Sequence, residues 1–178
     1  MKRFALLLIF ASSVVFPQEE KELTKMERFV SNTGKIIKLE NFNLPSLTAH
    51  SEKLQAKIRK ATISGEAAFF LILIKEDKYG DKSAAIAEED LTEVLMAFEN
   101  IMAQSAVEDS DADYLENKFT TDDGFQIGYA KGKSITWFIT LERYGKSTVL
   151  FNNPNGIKAT FINAISKIEE LKQLTNQE

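Results

Sequence analysis

Ala67-Ala68-Phe69-Phe70-Leu71-Ile72-Leu73-Ile74-Lys75 reads as a β-strand that is apolar on both faces: Phe69, Leu71 and Leu73 point one way, Phe70, Ile72 and Ile74 the other. A strand with one solvated face alternates apolar with polar residues, so this one is expected at the centre of a sheet, covered on both sides. Its neighbours fit a meander. Upstream, Leu54, Ala56 and Ile58 alternate with Gln55, Lys57 and Arg59, and Ser64-Gly65-Glu66 supplies a tight turn between the two segments. After Lys60 and Ala61 the apolar phase slips by one residue to Ile63, which predicts a β-bulge or a sharp bend. Earlier still, Ile37 and Leu39 alternate with Lys38 and Glu40, giving a strand over 35–42 that Asn43-Leu44-Pro45-Ser46 interrupts. Downstream, a turn over 77–82 centred on Tyr79-Gly80 leads into a short strand over 83–87.

Helices flank this meander. Leu23, Met26, Phe29 and Val30 recur at helical spacing over 19–32, with Gly34 placed to end the helix. After the short strand, Leu91, Val94, Leu95, Phe98, Ile101 and Met102 form an apolar stripe, with Asp90 as the expected N-cap and Glu93 answering three residues on.

An acidic stretch over 108–113 follows, and then the order of elements repeats. Residues 114–121 alternate weakly, Phe125, Ile127 and Tyr129 alternate well, and Ile135, Trp137, Ile139 and Leu141 mark a second strongly apolar strand. A short strand over 147–151 and a helical stripe of Ile157, Phe161, Ala164, Ile165, Ile168 and Leu171, begun near Pro154, complete the half. Asp77-Lys78-Tyr79-Gly80-Asp81-Lys82-Ser83 also matches Glu142-Arg143-Tyr144-Gly145-Lys146-Ser147 with one inserted residue, at the same place in each half. The reading is an α+β protein with an internal duplication. Two related four-stranded antiparallel units, β-β-β-β-α repeated, carry helices packed on one face and follow a short N-terminal helix. The units divide as 18–107 and 108–178.

Residues 1–17 have the layout of a secretory signal peptide: Lys2 and Arg3, then an apolar run from Phe4 to Phe16 broken only by Ser12 and Ser13. The run is shorter than the roughly 20 residues a membrane-spanning helix needs, so the mature chain is expected to carry no transmembrane segment and to be periplasmic or secreted. The chain contains no cysteine, which excludes disulfides, thiolate metal sites and a lipidated cysteine anchor. Its stability must come from its core. Without Lys2 and Arg3, 20 basic residues stand against 26 acidic ones, a net charge of −6. An acidic chain repels phosphates at long range, so nucleic acid is not an expected partner.

No catalytic constellation emerges, and the chain is read as a non-enzyme with no cofactor and no metal. Gly132-Lys133-Ser134 and Gly145-Lys146-Ser147 lack the upstream glycine of a phosphate loop, with Ile127 and Thr140 at those positions, and both precede strands. Asp109, Asp111 and Asp113 alternate as calcium ligands do, but Tyr114 and Thr120 replace the glycine and glutamate an EF-hand loop requires. His50 is the only histidine and has no partner at zinc-ligand spacing. Two features are left as candidate binding surfaces. Lys53, Lys57 and Arg59 form a basic stripe on one face of their strand, suited to an acidic partner, although lysines on a strand also guard against edge-to-edge aggregation. Phe70, Ile72 and Ile74 need a cover, which the N-terminal helix, the other half, a dimer partner or an apolar ligand would supply. The expected function is therefore an exported binding protein with a protein or peptide partner. The alternatives are a carrier of an apolar small molecule or lipid and, third, a hydrolase using scattered carboxylates.

Overall fold

The computed structural model describes residues 22–31, 33–50, 52–143 and 147–175. The expected leader, part of the predicted N-terminal helix and the Tyr144-Gly145-Lys146 copy of the repeated turn lie outside these residues. Eight strands and three helices follow in the order α1 (Lys25–Val30), β1 (Ile37–Thr48), β2 (Lys53–Ile63), β3 (Glu66–Lys75), β4 (Lys82–Ala87), α2 (Glu88–Val107), β5 (Leu115–Thr120), β6 (Gln126–Lys131), β7 (Ile135–Thr140), β8 (Thr148–Phe151) and α3 (Asn155–Thr175). They form two antiparallel meanders, β1-β2-β3-β4 and β5-β6-β7-β8, so the α+β class and the two similar sheet units hold.

One contiguous core serves both sheets. Leu54, Ile58, Leu71 and Leu73 of the first sheet and Ile127, Tyr129, Ile139 and Val149 of the second, each at 0 % exposure, join Val94 and Phe98 of α2 and Phe161 and Ala164 of α3. The helices run antiparallel, with Lys172 near the end of α3 paired to Glu88 at the start of α2, and Lys158 to Glu99 at 2.7 Å. They also cross between the units. α2 packs on β5 and β6 as well as on β3 and β4, while α3 lies on β1 and β2.

β3 is covered on both faces, as its composition requires. Phe69, Leu71 and Leu73 enter the shared core. On the outer face, Phe70 and Ile72 are buried with Ala61 and Ala87 against Met26, Phe29 and Val30 of α1, the Phe29 and Phe70 rings lying 6.2 Å apart. Of the covers considered for this face, the N-terminal helix supplies it.

Four local expectations are corrected. β2 carries neither bulge nor bend, because its register with β3 is unbroken from Leu54–Lys75 to Ile63–Glu66. The phase slip marks a change of buried face: Leu54, Ala56 and Ile58 face the shared core, Ala61 faces α1. The irregularity sits in β1, between Leu44 and Leu47. β1 therefore continues to Thr48 rather than ending at residue 42. Pro45, which has no N–H to donate, is tolerated there because β1 is an edge strand and the bulge relieves it of ladder duty. α1 is six residues long, capped by a reciprocal pair in which Thr24 accepts from the Glu27 N–H and Glu27 accepts from the Thr24 N–H. Finally, Asp90 does not cap α2. The helix starts at Glu88 directly after Ala87, whose burial at 1 % leaves no place for a polar cap, and Asp90 accepts from the Lys25 ammonium instead.

Lys25 ties α1 to the rest of the molecule. Its backbone N–H donates to Asp123 at 2.9 Å, and its ammonium pairs with Asp90 and lies 3.6 Å from Glu89. Desolvation lowers the affinity of this amine for its proton, but the Asp90 hydrogen bond and the surrounding carboxylates outweigh it and hold the group above its ordinary 10.5. The resulting stabilisation is fully present below that pH and is lost as pH rises through the higher folded value. Lys25→Met is expected to cost about 1 kcal/mol at pH 7. The difference in melting temperature between wild type and variant should then shrink as pH passes 10.5; a pH-independent difference would mean that the aliphatic stem carries the contact.

Candidate basic face

The register brings the two candidate sets onto one surface. On the outer face of the first sheet, Arg59 lies between Asn41 and Phe70, and Lys57 between Asn43 and Ile72, while Gln55 sits beside Ile74. The sequence reads the stripe and the apolar set as separate features because cross-strand neighbours are remote in the chain. They are in fact adjacent columns, the basic one toward the β1 edge and the apolar one toward α1.

Their fates differ. Phe70 and Ile72 are each 3 % exposed beneath α1, and Ile74 is half-buried at the margin. The apolar column is thus occupied by the chain itself. Lys53 is exposed, Lys57 and Arg59 are half-buried along their stems, and among the described residues no carboxylate lies within ion-pair distance of these three. Arg59 instead donates from Nε to Asn41 Oδ1 at 3.0 Å, which lays the guanidinium toward β1. The nearby acids are engaged elsewhere, Glu52 with Lys75 at 3.0 Å and Glu76 as acceptor from Gln55 at 2.6 Å. Lys53 and Lys57, together with Glu52 and Glu76, line a shallow groove of about 520 Å³ where the β1 bulge opens beside Asn43 and Ser46. Sequence reasoning missed Asn41, Asn43 and Ser46, which carry no chemical motif; the signal that could have found them is the pairing of an edge strand with the basic one.

A second depression of about 480 Å³ lies between α1 and the β2–β3 turn, lined by Lys25, Arg28, Lys35 and Glu66. Lys25 is held by Asp90, and Arg28 stands 3.8 Å from Asp123.

The other described residues weighed in the sequence lie apart from this face. The His50 N–H donates to the Leu150 carbonyl at 2.9 Å and its Nδ1 lies 3.2 Å from Asn152 Oδ1, joining the β1–β2 turn to β8. Asp109, Asp111 and Asp113 are exposed after α2, where the Glu108 carbonyl accepts from the Lys131 ammonium at 2.7 Å. Gly132-Lys133-Ser134 forms the β6–β7 turn. Among the described residues no three metal-ligating side chains gather, and no helix is long and apolar enough to cross a membrane. On β5, Glu116 is held below the usual carboxylate range by hydrogen bonds from Lys118 and Tyr114, and the Tyr114 hydroxyl is raised in turn.

Compared with known protein families, with curated proteins and with solved structures, the chain matches none.

Proposed function

We propose that this is an exported, non-catalytic binding protein that holds a protein or peptide partner with acidic side chains on the outer face of its first sheet. One observation carries the reading: in a chain with 26 acidic residues, Lys53, Lys57 and Arg59 share a face without a carboxylate partner among the described residues. Charges left unpaired on a rigid sheet cost no internal ion pair when a partner binds, and they steer an oppositely charged one. The apolar-carrier alternative has less support, since Phe70 and Ile72 already bury their area against α1. The signal-peptide-like layout of residues 1–17, Lys2 and Arg3 before an apolar run, supports action outside the cytoplasm.

The test is binding of poly-L-glutamate at low salt. Lys57→Glu combined with Arg59→Glu is expected to weaken it at least about tenfold, whereas Lys133→Glu in the β6–β7 turn should change it less than about twofold. Losses that scale with the number of charges reversed, so that the double variant loses no more per reversal than Lys133→Glu, would show a response to net charge alone and remove the stripe from consideration.

A further inference from the structure

We propose that β1 is an acceptor edge on which an acidic peptide adds as a fifth strand of the first sheet, its carboxylates reaching Lys57 and Arg59 across Asn41 and Asn43. The inference rests on the basic-face reading above and names the partner's conformation and chemistry.

β1 ends its sheet, and over Ile37–Leu44 it pairs with β2 in unbroken register. Half of the N–H and C=O groups of such an edge point away from the sheet and form a template for another strand. The segment is bounded, because the irregularity between Leu44 and Leu47 and Pro45 within it end the regular ladder on one side. Addition is therefore confined to about eight residues opposite Ile37–Leu44. On the outer face this segment presents Leu39, 48 % exposed, and then Asn41 and Asn43, both exposed.

The choice of asparagine matters to reach. A strand added outside β1 lies roughly 5 Å from it and roughly 10 Å from β2. Lys57 and Arg59 are long enough to meet an Asp or Glu over that span only if the intervening β1 side chains are short. Arg59 already lies across Asn41, with its Nε bonded to the amide oxygen. Successive outer-face positions of a strand are two residues apart, so the bound segment needs carboxylates at i and i+2, one opposite Asn41 and one opposite Asn43. A residue two further along faces Leu39 and is best apolar. The occupant this selects is an extended acidic peptide rather than a helix or a polyanion, since backbone pairing supplies affinity and the two cations supply selectivity.

Fluorescence anisotropy on the full chain tests this with a labelled nine-residue peptide bearing Asp at two alternate positions and Val at the next. Two further versions carry backbone N-methyl groups on the odd or on the even residues of the central segment. Strand addition uses the N–H groups of one set only, so one N-methylated peptide should lose at least about tenfold in affinity while the other binds as the parent does. Lys57→Glu with Arg59→Glu should abolish the preference for Asp over Lys in the peptide. If both N-methylated peptides bind like the parent, or both lose equally, strand addition is overturned while the basic face stands. If the Asp peptide binds no better than its Lys counterpart, the basic-face reading falls as well. A dimer of the chain that the peptide dissociates would assign the edge to a second copy and also overturn the proposal.

Discussion

Replacing Phe98 by alanine is expected to lower the free energy of unfolding by about 3–5 kcal/mol, read from urea denaturation with the slope unchanged. Phe98 is 0 % exposed and meets Trp137 of β7 edge-on, with centroids 5.6 Å apart and planes at 83°; Trp137 in turn lies 5.4 Å from the ring of Tyr129. Truncation removes the ring's transfer energy, its aromatic contacts and the packing of three facing elements at once. Against a total stability of order 5–15 kcal/mol, that loss is a large fraction. Trp137 is the only tryptophan, so its fluorescence reports directly on the second sheet, while far-ultraviolet circular dichroism reports on both. The two transitions should stay coincident and move together in the variant. A fluorescence transition that shifts while much of the dichroism signal stays put would mean that the halves unfold independently.

Coincidence is expected because of how the helices cross. α2 follows the first sheet in sequence, yet Phe98 closes the core over the second; α3 follows the second sheet and lies on β1 and β2. Each sheet is roofed partly by the helix of the other half. The Glu88–Lys172 and Glu99–Lys158 pairs fasten the two ends of α3 to the start and the middle of α2, and the contact of His50 with β8 joins the sheets directly. Two similar sheet units share a common interior this way.

What the sequence revealed and what it hid follow from the range of the interactions involved. The strands of residues 67–75 and 135–141 were legible because burial on both faces, or on one, writes itself as a local pattern. The change of face within β2 was legible as a phase slip, but not its cause: a bulge and an exchange of covering layers give the same string, and only the placement of α1 over Ala61 separates them. The Thr24 and Glu27 capping pair was readable and overlooked; it would have shortened the predicted helix to its true start. At the candidate site, Lys53, Lys57 and Arg59 stood out by charge alone. That Arg59 adjoins Asn41 on one side and Phe70 on the other depends on pairings between residues far apart in the chain, which no local pattern encodes.

Gly128 provides the second large effect, and the reason is space rather than backbone conformation. It lies on the outer face of β6 between Lys118 of β5 and Phe138 of β7. A Cβ placed there would overlap the carbonyl oxygen of Asn117 and stand 2.8 Å from Lys118 Cα and 2.9 Å from Lys118 Cβ, so β5 leans over the position that a side chain would fill. Two of these three atoms belong to the backbone, and relief requires β5 to move as a unit, against its ladder with β6 and its packing against α2. Gly128→Ala is expected to cost about 3 kcal/mol, at the upper end of overpacking effects, and Gly128→Val more. Gly132, just beyond the end of the same strand, is the internal control: nothing lies within 4 Å of a Cβ built there, so Gly132→Ala should be neutral or stabilise by about 0.5 kcal/mol through the unfolded chain. Chemical denaturation of the two variants side by side distinguishes a steric demand at Gly128 from a general effect of replacing glycine by alanine in this part of the chain. If Gly128→Ala were as stable as wild type, β5 would have to sit farther from β6 than the observed close approach allows.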